Sequence, residues 1–273
     1  MKKFEGILLC TDLDGTLLRN DQTVSKENLR AIEYFKQEGG LFTFVTGRMP
    51  FFVSNIYETV EPNVPFGCIN GGGLYDHRAQ RYVWTQTMLH SVLEMVAYAD
   101  ERITDLGIQV NTFEHVYFCK ENDAMAEFRR ITGLPNLACH YSAIKEPIAK
   151  IVFGDFCEES LHYLKELLDS HPMAGDFDFI RSEKTLYEIL PKGIGKGAAL
   201  KKLADFLRVD LSKTIAVGDY NNDVSMIRAA KLGVAVANAC PDAKEAADYV
   251  TVSNEEHAIA RIIEELERGE LPL

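Results

Sequence analysis

The sequence predicts an α/β protein, a doubly wound parallel sheet whose chain is interrupted by a smaller α+β insertion. Three observations predict it. Short apolar runs of strand length alternate with amphipathic helical segments at both ends of the chain, as in a sheet with helices packed on it. Reactive side chains stand just beyond several of these segments, where the chain leaves an open α/β sheet and active sites form. Over residues 86–185 the texture changes to two strands per helix, as in an α+β sheet covered on one face.

Residues 1–85 read as β, α, β, α, β. The first strand is the run Gly6-Ile7-Leu8-Leu9-Cys10-Thr11. Ser25 is placed to cap a helix with Leu29, Ile32 and Phe35 inward, and Gly39-Gly40 stops it. Leu41-Phe42-Thr43-Phe44-Val45 is the next strand, and the run to Cys68 is a third. The insertion begins with a helix over 88–106, placing Leu89, Val92, Val96 and Ile103 on one face. Strands follow at 108–110 and 116–119, a helix at 124–131, a strand at 151–153 and a helix at 161–168. A strand pair at 177–180 and 186–190 closes it. The first pattern resumes over 186–273 with a helix from Lys196, whose Leu200, Leu203, Phe206 and Leu207 share a face. A strand to Val217, a helix from Asn222, a strand at 233–236 and a final helix around Ile259, Ile262 and Ile263 complete it. The boundary at 85/86 carries no Pro/Gly linker.

Asp12-Leu13-Asp14-Gly15-Thr16-Leu17 leaves the first strand. Two carboxylates can converge from one short segment at such a strand end, one to attack and one to move protons, and Gly15 permits the turn. A solvated acidic turn is the bland alternative. A calcium loop is excluded, because Leu17 and Thr23 stand where glycine and glutamate are required. Asp219-Tyr220-Asn221-Asn222-Asp223 follows a second β-rich run, Thr214-Ile215-Ala216-Val217-Gly218, and fails the calcium pattern at Val224 and Ala230. Hard oxygen ligands at two strand ends suit Mg2+, which takes one or two carboxylates plus substrate phosphate. Thr46-Gly47-Arg48 offers a hydroxyl, an accessible amide and a guanidinium at a third strand end. Lys196 opens a helix, where a cation opposes the macrodipole but meets an anion well.

Competing motifs fail. Gly193-x-Gly195-x-x-Ala198 follows Pro191 rather than the first strand, so it is no dinucleotide fingerprint. A phosphate loop of the Walker type would need glycine at 190 and a hydroxyl residue at 197, where the chain has Leu190 and Gly197. No histidine pair has zinc spacing.

These segments resemble, in order and spacing, the haloacid dehalogenase-like hydrolase superfamily, and within it the Cof-type phosphatases. Asp12 to Leu17 looks like its first motif, Thr46-Gly47-Arg48 its second, Lys196-Gly197 its third and Gly218-Asp219 to Asp223 its fourth. Cys68-Ile69-Asn70-Gly71-Gly72 resembles the family's asparagine-glycine turn. Val236-Ala237-Asn238-Ala239, with Ala246 to Thr251, resembles its C-terminal signature. Tyr220-Asn221, Ala237 and Gly195 depart from commoner residues without removing a reactive group.

The resemblance implies a Rossmann-like core over 1–85 and 186–273, with a C2-type cap over 86–185 that sets substrate specificity. It implies Asp12 as nucleophile and Asp14 as general acid and base. Lys196, Thr46, Asn222 and the amides of Leu13 and Gly47 would hold the phosphoryl oxygens. Mg2+ would be held by Asp12, the Asp14 carbonyl and Asp219, with Asp223 in or behind that set. Arg48 is assigned to its loop or to substrate rather than to the chemistry. The expected reaction is Mg2+-dependent hydrolysis of small phosphorylated metabolites, foremost sugar phosphates. Flavin mononucleotide and pyridoxal phosphate stay open. The rivals are a phosphomutase on hexose phosphates, a dehalogenase (disfavoured by Asp14) and a catalytically silent phosphometabolite-binding regulatory protein.

The remaining features bound the partners. A formal charge of −12 argues against nucleic acid or an anionic membrane. Six scattered cysteines without C-x-x-C pairs suggest a reducing cytoplasm, and Cys10, Cys68 and Cys119 sit in strand-like runs. Met-Lys-Lys-Phe-Glu and a short strand do not make a signal segment. A monomer or homodimer is expected.

Overall fold

The computed structural model describes residues 2–273, which divide into two compact units. One contains the chain to Thr85 together with Gly195–Leu273, the other Gln86–Ile194.

The first unit begins with β1 (Leu8–Thr11), α1 (Lys26–Gln37), β2 (Leu41–Phe44), α2 (Ser54–Val60), β3 (Phe66–Cys68), β4 (Gly73–Asp76) and β5 (Arg81–Thr85). The second contains α3 (Val92–Asp100), β6 (Gly107–Thr112), β7 (Val116–Lys120), α4 (Asp123–Thr132), β8 (Leu137–Ala138), β9 (Ile148–Gly154), α5 (Glu158–Asp169), β10 (Phe177–Glu183) and β11 (Leu186–Pro191). The first unit resumes with α6 (Lys196–Leu207), β12 (Thr214–Gly218), α7 (Val224–Ala229), β13 (Leu232–Ala235), α8 (Pro241–Ala246), β14 (Tyr249–Val250) and α9 (Ala258–Glu267).

The main sheet of the first unit is parallel throughout, in the order β14-β13-β12-β1-β2. Its apolar strands are buried, as a parallel sheet with helices packed on it requires. Leu8, Cys10 and Ala216 pack with Leu200, Leu203, Ala204 and Met226 from α6 and α7. Helices α1 and α9 pack on each other. Ser25 caps α1 as expected, accepting from the Asn28 amide at 3.2 Å. In this α/β Rossmann-like core, Thr11 is level with both Val217 and Phe44. The exits of β1, β2 and β12 are therefore adjacent, which is what gathers the site.

Several local expectations change. The third strand, β3, joins the antiparallel sheet β3-β4-β5 and meets the line of the main sheet through a parallel bridge from Gly67 to Val45. Phe206 is exposed although placed on the inward face of its helix, because six residues from Leu200 carry it well around the α6 axis. The chain from Asn222 makes a tight turn before α7 starts at Val224.

In the second unit a six-stranded sheet, ordered β10-β11-β9-β6-β7-β8, is antiparallel except for β7 with β8. Helices α3 and α5 cover one face, with Val92, Val96, Leu161, Leu164 and Leu168 packed on Ile151, Phe153 and Ile189. The helix expected over 88–106 shortens to α3: Met88 instead donates its amide to Ile148 at 2.9 Å, and Leu89 is exposed. The unit runs to Ile194, past the boundary expected at 185, because β11 pairs on both sides, with β10 and β9.

Candidate active site

Asp12 continues β1 for one residue, donating its amide to Val217 at 2.8 Å, before the chain turns. The turn needs Gly15: its φ is 74°, and a Cβ there would lie 2.5 Å from Asp219 Oδ2. Thr16 completes the junction, its hydroxyl donating to Asp219 Oδ1 at 3.0 Å. Asn238 supports the same turn from the C-terminal signature, donating Nδ2 to the Gly15 carbonyl at 2.8 Å. The acidic segments after β1 and β12 are thus interlocked, although far apart in sequence.

Lys196 joins them from a third direction. Its Nζ donates to Asp12 Oδ1 at 2.5 Å and to Asp223 Oδ1 at 2.6 Å, with the side chain 1% exposed. The other oxygen of Asp223 accepts the amides of Asp219 and Tyr220, both at 3.1 Å. Gly197 brings α6 close to α7: a Cβ there would sit 2.3 Å from the Ser225 carbonyl oxygen. Burial alone would lower the lysine's affinity for its proton, but Asp12 and Asp223 outweigh it and hold the ammonium above its ordinary value. Burial raises Asp12 well above the carboxylate range against the pull of Lys196, with Asp223 and Asp219 adding to the rise. Burial and Asp223 push Asp219 up to about 6.

Asp12, Asp219 and Asp223 each place an oxygen within 4.8 Å of the others. Three hard donors, two of them raised by burial and mutual repulsion against one lysine, fit a divalent cation of the oxygen-seeking class. The Asp14 side chain is not in this cluster. It is exposed and held by Arg48, whose Nε donates to Oδ2 at 2.9 Å and whose Nη2 donates to Oδ1. Nη2 also reaches Gln22 Oε1 at 2.8 Å. Arg48 is therefore tied to the expected acid–base residue, a contact not foreseen from the sequence.

Thr46 is buried, and its hydroxyl accepts the Arg48 amide at 3.1 Å. Asn70 organises this side of the site: its amide donates to the Thr46 carbonyl at 3.0 Å, and its Oδ1 accepts from Asn222 Nδ2 at 3.3 Å. A Cβ on Gly47 would lie 2.9 Å from that same Oδ1. Asn70 has φ 51°, and its Asn-Gly sequence was the available signal for a left-handed turn. The side chain of Leu13 is buried, so any ligand contact from this residue comes from its backbone. The structure thus gathers Asp12, Lys196, Asp219 and Asp223 directly and links Thr46, Gly47 and Asn222 through Asn70.

The fold and this centre define an α/β enzyme with its chemistry at the carboxyl end of a parallel sheet. The description haloacid dehalogenase-like hydrolase matches residues 9–263, and the chain belongs to that family. Among curated relatives, 5-amino-6-(5-phospho-D-ribitylamino)uracil phosphatase YwtE of Bacillus subtilis is 29% identical over 96% of this chain and 98% of its own. A solved haloacid dehalogenase-like hydrolase from B. subtilis is 27% identical, with a TM-score of 0.82 over 97% of this chain and 100% of that one. A HAD subclass IIB sugar phosphatase shares the fold, with a TM-score of 0.83 at 22% identity over 95% of this chain and 98% of that one. Among the described residues no helix is long and apolar enough to cross a membrane.

Proposed function

We propose that the protein hydrolyses phosphate monoesters of small metabolites, foremost sugar and sugar-alcohol phosphates, through an aspartyl-phosphate on Asp12 with Mg2+ as cofactor. The observation that carries this reading is Lys196, buried between Asp12 and Asp223 at the meeting of two strand ends. A carboxylate so held is oriented for attack, and the ammonium beside it can neutralise charge on a phosphoryl group.

In the first step an Asp12 oxygen bonds to phosphorus as the ester P–O bond breaks, and Asp14 delivers a proton to the leaving oxygen. In the second, Asp14 takes a proton from water as that water attacks the phosphorus, releasing inorganic phosphate and restoring Asp12. Asp14 acts only after Arg48 yields one of the oxygens it holds. Thr46, the amides of Leu13 and Gly47, Lys196 and Asn222 hold the phosphoryl oxygens. Mg2+ would be held by Asp12, the Asp14 carbonyl and Asp219, with Asp223 in or behind that set, and when bound would shield the like charges of carboxylate and phosphate.

The substrate class draws on the relatives. YwtE and two others from B. subtilis are named for an ester whose phosphate sits on a ribityl chain. The net charge of −12 offers no track for a polyanion, which favours a small substrate. The test is phosphate release with Mg2+ from ribitol 5-phosphate, hexose and pentose phosphates, flavin mononucleotide, pyridoxal phosphate, nucleotides and a phosphopeptide. The highest kcat/KM is expected among the sugar and sugar-alcohol esters. A clear preference for phosphopeptide or nucleotides refutes the substrate class, and no turnover of any ester refutes the enzyme reading.

A further inference from the structure

The chain leaving β13 crosses the exits of the two strands beside it. In the main sheet β13 pairs with β12, and β12 with β1. Residues 236–240 join β13 to α8 and grip the turn after β12 twice. Val236 donates its amide to the Gly218 carbonyl at 3.3 Å, and Cys240 donates its amide to the Asp219 carbonyl at 2.8 Å. Asn238, between them, reaches one strand further, donating Nδ2 to the Gly15 carbonyl at 2.8 Å. One short segment of the first unit therefore holds both the turn that carries Asp14 and the turn that carries Asp219.

The segment is itself braced. Ala239 donates its amide to the Val236 carbonyl at 2.9 Å, closing a tight turn. Asn238 Oδ1 accepts the amide of Asn254 at 3.0 Å, and buried Asn254 donates its own Nδ2 to the Leu18 carbonyl at 3.0 Å. Asn238 is thus oriented from both ends of one planar amide, with a donor on a carbonyl and an acceptor on an N–H. Aspartate would offer only acceptors there and leucine neither.

Gly15 leaves this grip something to do. Glycine allows the observed φ of 74° but populates other backbone regions as readily, so it permits the turn without holding it. Thr16 also ties the two turns, yet it does so on an oxygen of the Asp219 carboxylate, one of the three acidic groups that could share a cation. The Asn238 contact uses backbone groups alone and leaves those carboxylates free.

We propose that Asn238 is a positioning residue, which fixes the turn at Asp14 against the turn at Asp219 so that their oxygens are spaced for one divalent cation. The inference rests on the Mg2+ reading of this site and adds the residue that sets its spacing.

The experiment uses the full chain and two readouts. One is the Mg2+ dissociation constant, taken from the rise in melting temperature with added Mg2+. The other is kcat and KM on nitrophenyl phosphate. Asn238→Leu should weaken Mg2+ binding by about ten- to a hundredfold, the usual effect of removing a group that orients a metal's ligands. The metal-free melting temperature should fall by no more than about 2–4 °C, because the hydrogen bonds lost are at an exposed side chain. At saturating Mg2+, KM should stay within about twofold, since Asn238 is not assigned to the ester. Glu255→Ala is the control: it frees Arg19 and Asn20 on the same loop without touching Gly15 or Asp219, and should keep the Mg2+ constant within about twofold. An unaltered Mg2+ constant in Asn238→Leu overturns the proposal. So does an equal weakening in Glu255→Ala, which would mean general loosening of the loop. If Asn238→Leu fails to fold, Asn238→Ala carries the same expectation and the same refutation. A wild type whose melting temperature ignores Mg2+ would instead refute the metal reading, and this inference with it.

Discussion

Arg48 grips Asp14 by both carboxylate oxygens, with Nε on Oδ2 at 2.9 Å and Nη2 on Oδ1. The two residues follow adjacent strands, β2 and β1, whose parallel register brings their exits side by side. Gln22 stabilises the grip from the loop before α1, in a left-handed conformation with φ 64°. A planar fork on a carboxylate fixes direction as well as charge.

Arg48→Ala should release Asp14 into many orientations. The expected effect is a fall of about ten- to a hundredfold in kcat on alkyl phosphates, the range of a misplaced general acid–base group. Nitrophenyl phosphate, whose leaving group needs little protonation, should be affected much less, and KM should change little. A rise in KM shared by both esters would place Arg48 on the substrate instead. Arg48→Lys should recover little, since lysine cannot hold both oxygens at once.

Asp12→Asn keeps the shape of the proposed nucleophile and removes its charge. Turnover should fall by several orders of magnitude, and rapid acid quenching should trap no phosphoenzyme, whereas the wild type should yield one on this residue. The same position in Asp14→Asn should retain a trapped phosphoenzyme with nitrophenyl phosphate, because attack survives while the water step slows.

Lys196→Met should abolish activity and also destabilise the fold. It leaves Asp12 and Asp223 buried without their shared cation, and breaking a buried ion pair typically costs about 3–5 kcal/mol. Chemical denaturation of the metal-free protein measures this. Added Mg2+ should recover part of the stability and none of the turnover.

Metal and pH should be linked through Asp219. Its folded-state carboxyl titrates at about 6 against an ordinary 3.8, so the folded chain binds this proton more tightly than the unfolded one. The stability it contributes is therefore full below 3.8 and lost as pH rises through about 6. Without metal, stability should decline across that window. At neutral pH, Mg2+ should raise the melting temperature, by the equivalent of about 2.7 kcal/mol at a hundredfold excess over Kd. Chelation should abolish activity, Mg2+ should restore it and Ca2+ should not. An unchanged melting temperature with Mg2+ at neutral pH would contradict the metal assignment.

Gly197→Ala tests the packing that places Lys196. Its Cβ would come within 2.3 Å of the Ser225 carbonyl oxygen, so α6 must move away from α7. Stability should fall by about 1–3 kcal/mol, with a loss of activity beyond what the melting temperature explains.

Much of the site was legible because its residues stand at strand exits, and a strand followed by an abrupt polar turn is a local pattern. Asp12, Thr46, Asp219 and Asp223 are of this kind, while Lys196 is marked by its place at the opening of a helix. The misreadings lie where partners are distant in sequence. Nothing near Arg48 announces that its fork lies on Asp14 and Gln22. Met88 has helical company in sequence, yet bridges to Ile148 in a strand sixty residues on. Asn238 stands in a legible segment, yet only the strand order shows that it reaches across β12 to the Gly15 carbonyl.

By itself, then, the sequence determined the α/β core, the alternation of its strands and helices, the insertion's different texture and the reactive residues at strand ends. Periodicity, capping and turn chemistry act over a few residues and need no tertiary context. Tertiary structure decided which carboxylate each cation holds, which backbones require Gly15 and Gly197, and which turns Asn238 ties together. Those outcomes depend on strand order and register, where segments two hundred residues apart meet within a few ångströms, and no local pattern encodes that distance.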